Sequence, residues 1–226
     1  MLVMGLDTAL QSCSVAILKD GAALADERAG MEKGHAEHLA PMAAQALKKA
    51  GVTVSELDRV GVVVGPGGFT GVRVGLAFAR GLVIGTEVTL IGVTSLAALA
   101  AGAQSDEGLV AAVIDARRGQ VYAALYGPAG EVLVSPFVAA PEQALKKLID
   151  KAGDQNVATV GSGAALLPGA PSQWTASGAP DEIDSKIVAR LAASAPAPAG
   201  KVSPLYLRPP DAKPGKAGPF GAIGAS

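Results

Sequence analysis

Two aspartates and one histidine pair carry the side chains whose type and spacing can do chemistry. Asp7-Thr8 closes the apolar run "LVMGL" and Asp115 closes "LVAAVI"; each is followed by a polar turn and a second apolar run. Folds that hold magnesium-nucleotide between duplicated lobes place one carboxylate from each lobe at such turns, which makes Asp7, Thr8 and Asp115 candidate nucleotide-binding residues. The competing reading is local, because aspartate is favoured at turns for hydrogen bonds to its own backbone. "HAEH", residues 35 to 38, invites a metal reading. Zinc peptidases of the HExxH type space their histidines four apart with glutamate beside the first. Here His35 and His38 are three apart, Glu37 precedes the second, and no third ligand is evident, so capping and a surface or interface role fit better.

"GPGGFTGVRVGL", residues 65 to 76, poses a different question: whether its five glycines cradle a phosphate or let two backbones approach. A phosphate-binding P-loop needs lysine and a hydroxyl directly after its last glycine. Here Gly71 is followed by Val72 and Arg73. A dinucleotide fingerprint needs glycine where Thr70 stands and an acid at the end of the next strand, whereas Glu87 precedes that strand. Packing explains more of the stretch: Gly65-Pro66 gives an extended exit from a strand, Gly67 and Gly68 permit positive φ, and Thr70 caps a helix.

The elements that must position these residues follow from periodicity. Apolar runs at 2–6, 13–19 and 22–27, separated by turn residues, predict three antiparallel strands. Leu39, Met42, Ala43, Ala46, Leu47 and Ala50 predict a helix over 38–50 that stops at Gly51, with Pro41 in its first turn or at a kink. "RVGVVV" predicts a buried strand, 71–85 a helix, "EVTLIGV" a strand and 95–102 a short helix. The second half opens in the same way. "LVAAVIDARRGQVYAALYG" repeats the plan of "LVMGLDTALQSCSVAILKDG"; a third strand "EVLVSPFVA", a helix from Pro141 to Asp150, a strand "VATVG" and an amphipathic helix over 183–194 follow. The expected architecture is α/β, two duplicated domains over 1–103 and 104–208, each with a mixed sheet and flanking helices. "SPLYLR" is expected to dock through Leu205, Tyr206 and Leu207, and the Pro/Gly-rich stretch 209–226 to form no regular element.

The helix at 71–85 is apolar on nearly every side: Val72, Leu76, Ala79 and Val83 on one face, Val74, Phe78 and Leu82 on another. A helix apolar all round is buried on both sides. One side can rest on the domain's own sheet; the other needs the helix at 38–50 or a second subunit. Gly75 and Gly81 within it each cost about 1 kcal/mol relative to alanine, which close helix contact would offset. Arg73 and Arg80 share one stripe, available to partner carboxylates or to water.

Composition narrows the function classes. With 19 basic and 20 acidic residues and a net charge of -1, the chain lacks the positive excess of a stand-alone nucleic-acid binder. Hydrophobic residues make up 50% and charged residues only 17%, below the roughly 25% usual for a globular surface, which predicts apolar surface facing a partner. The single cysteine, Cys13, excludes an internal disulfide and is expected to be a buried thiol in a reducing cytoplasm. "MLVMGLD" has no basic n-region, and no uncharged stretch is apolar enough for a membrane span.

"GLDTALQSCSVAIL", "HAEHLAP", "GPGGFTGVRVGL", "DARRGQVYAALY" and "YLR" stand in the order and spacing of the bacterial TsaB family, also called YeaZ, and the chain resembles it over about residues 1–208. The resemblance implies the actin-like ATPase, sugar kinase and chaperone (ASKHA) fold and a role in making threonylcarbamoyladenosine in tRNA, next to the anticodon. It implies a non-catalytic subunit that pairs with and activates the catalytic paralogue TsaD, alongside the small ATPase TsaE. The tRNA is then the substrate of the complex, a homodimer is a possible state of the chain alone, and no membrane is involved. TsaD-type proteins hold a metal with histidines in a "VNHMEGH"-like segment; here that position reads "VTSLAAL", with Ser95 and Leu99 where the ligands would be. The resemblance therefore implies no catalytic residue, no metal and no tightly bound cofactor, with ATP or ADP only at the complex interface. The family's dimer contacts use the first two helices. That carries over onto His38, Leu39, Met42 and Ala46 of the first helix and Gly71, Arg73, Val74, Gly75, Phe78 and Leu82 of the second. The alternative is a stand-alone ATPase or metal-dependent peptidase of the same fold.

Overall fold

In a computed structural model, which describes residues 1–31, 34–103 and 108–208, the alternating runs of the first half pair as their periodicity predicts. β1 (Leu2–Asp7), β2 (Ser12–Lys19) and β3 (Ala22–Gly30) form an antiparallel meander. β4 (Arg59–Val63) and β5 (Thr89–Val93) add in parallel beyond β1, giving the order β3-β2-β1-β4-β5. α1 (His35–Ala50) joins β3 to β4, α2 (Phe69–Val83) joins β4 to β5, and α3 (Ser95–Ala103) follows.

The second half repeats this plan with β6 (Leu109–Arg117), β7 (Gln120–Tyr126), β8 (Val132–Ala139), α4 (Pro141–Ala152), β9 (Val157–Val160), β10 (Trp174–Ala176) and α5 (Ser185–Ser194). Its order is β8-β7-β6-β9-β10, with β6 parallel to β9 and antiparallel to β7. Two mixed sheets of one topology are the duplicated actin-like architecture expected. β10 was not legible, since three residues carry no periodicity, and the counterpart of α2 has shrunk to a single 3-10 turn at Ala164–Leu166.

The two halves exchange their last helices. α5 lies on β1, β2 and β4 of the first sheet, while α3 lies on β6, β7 and β9 of the second. One apolar cluster therefore joins both sheets, with Val3, Val63, Ile91, Leu96, Leu99, Val110, Ile114, Val160 and Val188 among its members. Glycines make the α5 seat: a Cβ on Gly5 would fall 2.1 Å from the Ser185 carbonyl oxygen, and one on Gly61 2.6 Å from the Ala192 Cβ. On the opposite face of the first sheet, Met4, Leu6, Val15 and Ile17 meet Leu39, Ala43 and Ala46 of α1 and Leu76 and Ala79 of α2. The Cys13 thiol is fully buried there, as expected, and burial pushes its pKa up to about 11.

Three local expectations are corrected. α2 begins at Phe69 with Gly68 as N-cap, and Thr70 does not cap it. The Gly68 N–H donates to the Ala9 carbonyl and its own carbonyl accepts from Val72, which starts the helix two residues early. α1 begins at His35, so Pro41 sits in its second turn, where it forfeits one helical N–H bond on the exposed side. Gly65-Pro66 is a cis peptide with Gly65 at φ +98 rather than an extended exit. Gly51, at φ +67, stops α1 as predicted, its N–H reaching the Leu47 and Lys48 carbonyls. The stretch 209–226 lies outside the described residues.

Candidate functional site

The glycine loop and α2 are built around the β1–β2 turn of the same chain. Thr8 Oγ1 donates to the Gly71 carbonyl at 2.8 Å. A Cβ on Gly71 would lie 1.9 Å from the Thr8 carbonyl oxygen, one on Gly75 2.4 Å from Thr8 Oγ1, and one on Gly67 2.4 Å from the Ala9 carbonyl oxygen. The question raised by the motif resolves toward packing, with a correction: the close contact at Gly71 and Gly75 is internal. Gly81 differs, having no atom of the described residues within 4 Å of a Cβ position and lying on the exposed side of α2.

The two candidate carboxylates sit at equivalent hairpins and make the same local bond. Asp7 Oδ1 accepts from the Ala9 N–H at 2.9 Å, and Asp115 Oδ1 accepts from the Arg117 N–H at 2.7 Å, each two residues on, the arrangement that makes aspartate favourable at turns. Asp7 is turned inward and buried, its Oδ2 facing the Ser12 hydroxyl at 3.4 Å. Asp115 is partly exposed and pairs with Arg117 at 3.2 Å. Thr8 is buried with its hydroxyl committed to α2.

Burial raises the Asp7 pKa to about 7, against the opposing pull of the Ala9 N–H, the Ser12 hydroxyl and the Arg28 charge. Because the folded value exceeds the unfolded one, the native state holds a proton that the unfolded chain releases. The stability this contributes is complete below about pH 4 and is lost as pH rises to about 7. Asp7→Asn keeps an oxygen for the Ala9 N–H and removes the titration. Its melting temperature relative to the parent is expected to be higher at pH 8 than at pH 5, and an equal difference at both pH values would count against a buried, proton-binding Asp7.

Both histidines sit at the start of α1. His38 is exposed and its Nδ1 lies 3.0 Å from the Gly34 carbonyl oxygen, while His35 Nε2 is buried without a hydrogen-bond partner. Among the described residues no group of three His, Cys, Asp or Glu side chains is placed to hold a metal. Ser95 is buried at the first position of α3, and Leu99 belongs to the apolar cluster between the sheets.

The residues expected to meet a partner divide into two sets. Leu39, Ala46, Gly71 and Gly75 are buried within the chain and shape the surface from beneath. His38 and Arg73 are exposed, and Met42, Val74, Phe78 and Leu82 are half-buried. Of the two covers considered for α2, α1 packs beside it; among the described residues Ala77 and Gly81 on α2, and Ile84 at its C-cap, remain exposed, Ile84 by 80%. Phe69, at the start of the helix, is 57% exposed.

Arg73 and Arg80 do not wait on partner carboxylates. Arg80 donates to the Val202 carbonyl, Arg73 Nε donates to the Tyr206 hydroxyl at 2.9 Å, and the Leu205 N–H donates to the Val64 carbonyl at 2.8 Å. The C-terminal segment thus docks along α2 and the end of β4, through Leu205 as expected and through the two arginines, which sequence reasoning left open. Ile84 and Phe69 were also missed. The extension of the apolar pattern to both ends of the helix was the available signal.

Comparisons with known proteins agree with this architecture. A family model described as TsaD, tRNA N6-adenosine threonylcarbamoyltransferase, matches residues 29–203. The tRNA threonylcarbamoyladenosine biosynthesis protein TsaB of Haemophilus influenzae is 33% identical over 175 residues, covering 71% of this chain and 72% of that protein. TsaB of Escherichia coli is 38% identical over 128 residues, 56% of this chain; the matched part spans only 55% of that protein, and the same share of its Bacillus subtilis counterpart. Among solved structures, a Pseudomonas aeruginosa protein described as uncharacterized, with similarity to peptidase YeaZ, superposes with a TM-score of 0.78 at 29% identity, covering 92% of this chain and 99% of that one.

Proposed function

This chain belongs to the TsaB (YeaZ) family, and from that footing we propose that it acts in tRNA threonylcarbamoyladenosine synthesis as a non-catalytic subunit that pairs with and activates a TsaD-type transferase. The observation that carries the pairing is the outer stripe of α2, which is exposed among the described residues. Ala77 and Gly81 are small enough to admit a partner helix closely, Ile84 and Phe69 project apolar surface at its two ends, and Phe78 and Leu82 flank it half-buried. Small residues at the centre and large apolar ones at the rim suit helix-on-helix packing across a subunit boundary. The non-catalytic reading is supported by Leu99, an apolar core side chain where the resemblance places a metal ligand of the paralogue, and by the burial of Asp7. In this reading the protein works in the cytoplasm with TsaE and with tRNA as the substrate of the complex; no helix among the described residues is long and apolar enough to cross a membrane.

The test is co-expression with the TsaD-type protein of the same cell, followed by size-exclusion chromatography and, after depletion of this chain, nucleoside analysis of total tRNA. A stoichiometric complex and loss of threonylcarbamoyladenosine are expected. A chain that elutes alone beside abundant TsaD, with the modified nucleoside unchanged, would reject the reading. Gly75→Leu is unsuited as the interface variant because its Cβ collides with Thr8; at Gly81 a Cβ meets no atom of the described residues within 4 Å, and Gly81→Leu is expected to leave folding intact while preventing co-elution.

A further inference from the structure

Arg73 and Arg80 stand two turns apart on α2, so at about 100° per residue their side chains leave the helix within about 20° of one another. Ala77 and Gly81 lie about 40° and 80° round from Arg73, on the side away from the buried Leu76. Both are exposed among the described residues. Val74, Phe78 and Leu82 come next, half-buried on the side of α1. The exposed strip of α2 therefore has two borders: α1 on one side, and on the other whatever the two arginines hold.

What they hold is the C-terminal segment. Arg80 donates to the Val202 carbonyl, and Arg73 Nε donates to the Tyr206 hydroxyl at 2.9 Å. From position 80 back to 73 the helix spans about 10 Å, and from 202 to 206 an extended chain covers about 13 Å. The lengths match, so the segment runs alongside α2 in the opposite direction. Its seat is built into the chain: the Leu205 N–H donates to the Val64 carbonyl at 2.8 Å, and a Cβ on Gly92 would fall 2.9 Å from Val202 Cγ1. Val202 and Leu205 pack on the core of the α1–α2 face. Tyr206 remains 53% exposed, with its ring 6.1 Å from that of Phe69, and the Arg73 guanidinium carbon lies 3.5 Å from the centre of the Phe69 ring.

We propose that residues 202–206 form the second wall of a groove whose floor is Ala77 and Gly81 and whose first wall is α1, and that this groove seats a helix of the TsaD-type partner, with Tyr206 and Phe69 as its aromatic anchors. This rests on the pairing proposed above and adds to it a segment that lies outside both helices. A helix is the occupant that fits, because a floor of small residues admits a helix backbone at short interaxial distance, and the groove is continuous with the exposed strip that carries the pairing. Rings already stacked on a guanidinium lose little freedom on binding, and tyrosine and arginine are the residue types that contribute most to interfaces.

The test compares Tyr206→Phe and Tyr206→Ser in the full chain for affinity to the purified TsaD-type protein by isothermal titration. Phenylalanine keeps the ring and is expected to bind within about threefold of the parent, whereas serine removes it and is expected to bind about tenfold more weakly or worse. Position 206 is exposed, so both variants are expected to melt near the parent. A second measurement needs no loss of affinity. Cys13 is the only cysteine and is fully buried, so Tyr206→Cys offers one accessible thiol, whose maleimide labelling is expected to slow about tenfold or more under saturating partner. The proposal is overturned if the serine variant binds as tightly as the parent or more tightly, or if the thiol at 206 is labelled as fast in the complex as alone. A complex indifferent to position 206 overturns this inference and leaves the pairing standing; a parent chain that forms no complex overturns both.

Discussion

Gly71→Ala is expected to lower the melting temperature by roughly 10 °C, while Gly81→Ala, ten residues along the same helix, is expected to raise it by roughly 2–4 °C. On propensity alone both should stabilise α2 by about 1 kcal/mol. What separates them is the space outside the helix. The methyl group at position 71 would lie 1.9 Å from the Thr8 carbonyl oxygen, a backbone atom that cannot swing aside, so α2 must lift from the β1–β2 turn. Lifting it breaks the 2.8 Å bond from Thr8 Oγ1 to the Gly71 carbonyl and opens the contact of Val72 and Leu76 with the core. Overpacking of this kind costs about 1–3 kcal/mol, the lost buried hydrogen bond about 1 kcal/mol more, and the propensity gain recovers only part of that. Position 81 has no atom of the described residues within 4 Å, and only the propensity gain remains. Thermal unfolding by circular dichroism reads both. A change at position 71 of less than 2–3 °C would show that α2 is not seated against Thr8.

The double variant Ala77→Asp/Ile84→Asp is expected to weaken association with the TsaD-type partner by about a thousandfold and to fail to restore threonylcarbamoyladenosine in depleted cells. Both side chains face solvent in the isolated chain, so the fold should be unaffected and the melting temperature within 2–3 °C of the parent. In a closed helix-helix contact each carboxylate would be desolvated without a partner, which costs on the order of 2 kcal/mol or more apiece. Two such losses correspond to roughly three powers of ten in affinity. Affinity by isothermal titration and tRNA nucleoside analysis in complemented cells are the readouts. Undiminished affinity in the folded variant would place the contact elsewhere on the molecule.

The Asp7 and Asp115 turns show how a correct placement can carry an open chemical meaning. Their equivalence was legible, because an apolar run, an aspartate, a turn and a second run recur at both sites. Their use was not. The same residue type serves a turn and a ligand site, and only the inward rotation of Asp7 and the pairing of Asp115 with Arg117 show what each oxygen meets here. The glycines behave likewise. A glycine-rich loop announces a close approach without naming what approaches, and here it is Thr8 and Ala9, residues more than fifty positions earlier in the chain.

What the sequence determined by itself is the order and type of all but the shortest elements, and their duplication. Alternation at period two, recurrence at period 3.6, and glycine at the helix stop are local signals whose energetics are settled within a few residues. What the tertiary structure alone decided is which surface each element meets. α3 and α5 cross to the opposite sheets, Arg73 and Arg80 grip the C-terminal segment, and four arginines from three distant stretches converge on one cleft. The physical reason is that an apolar face requires cover, and a guanidinium requires an acceptor, without specifying the source. That choice is made by the shape and packing of the whole chain.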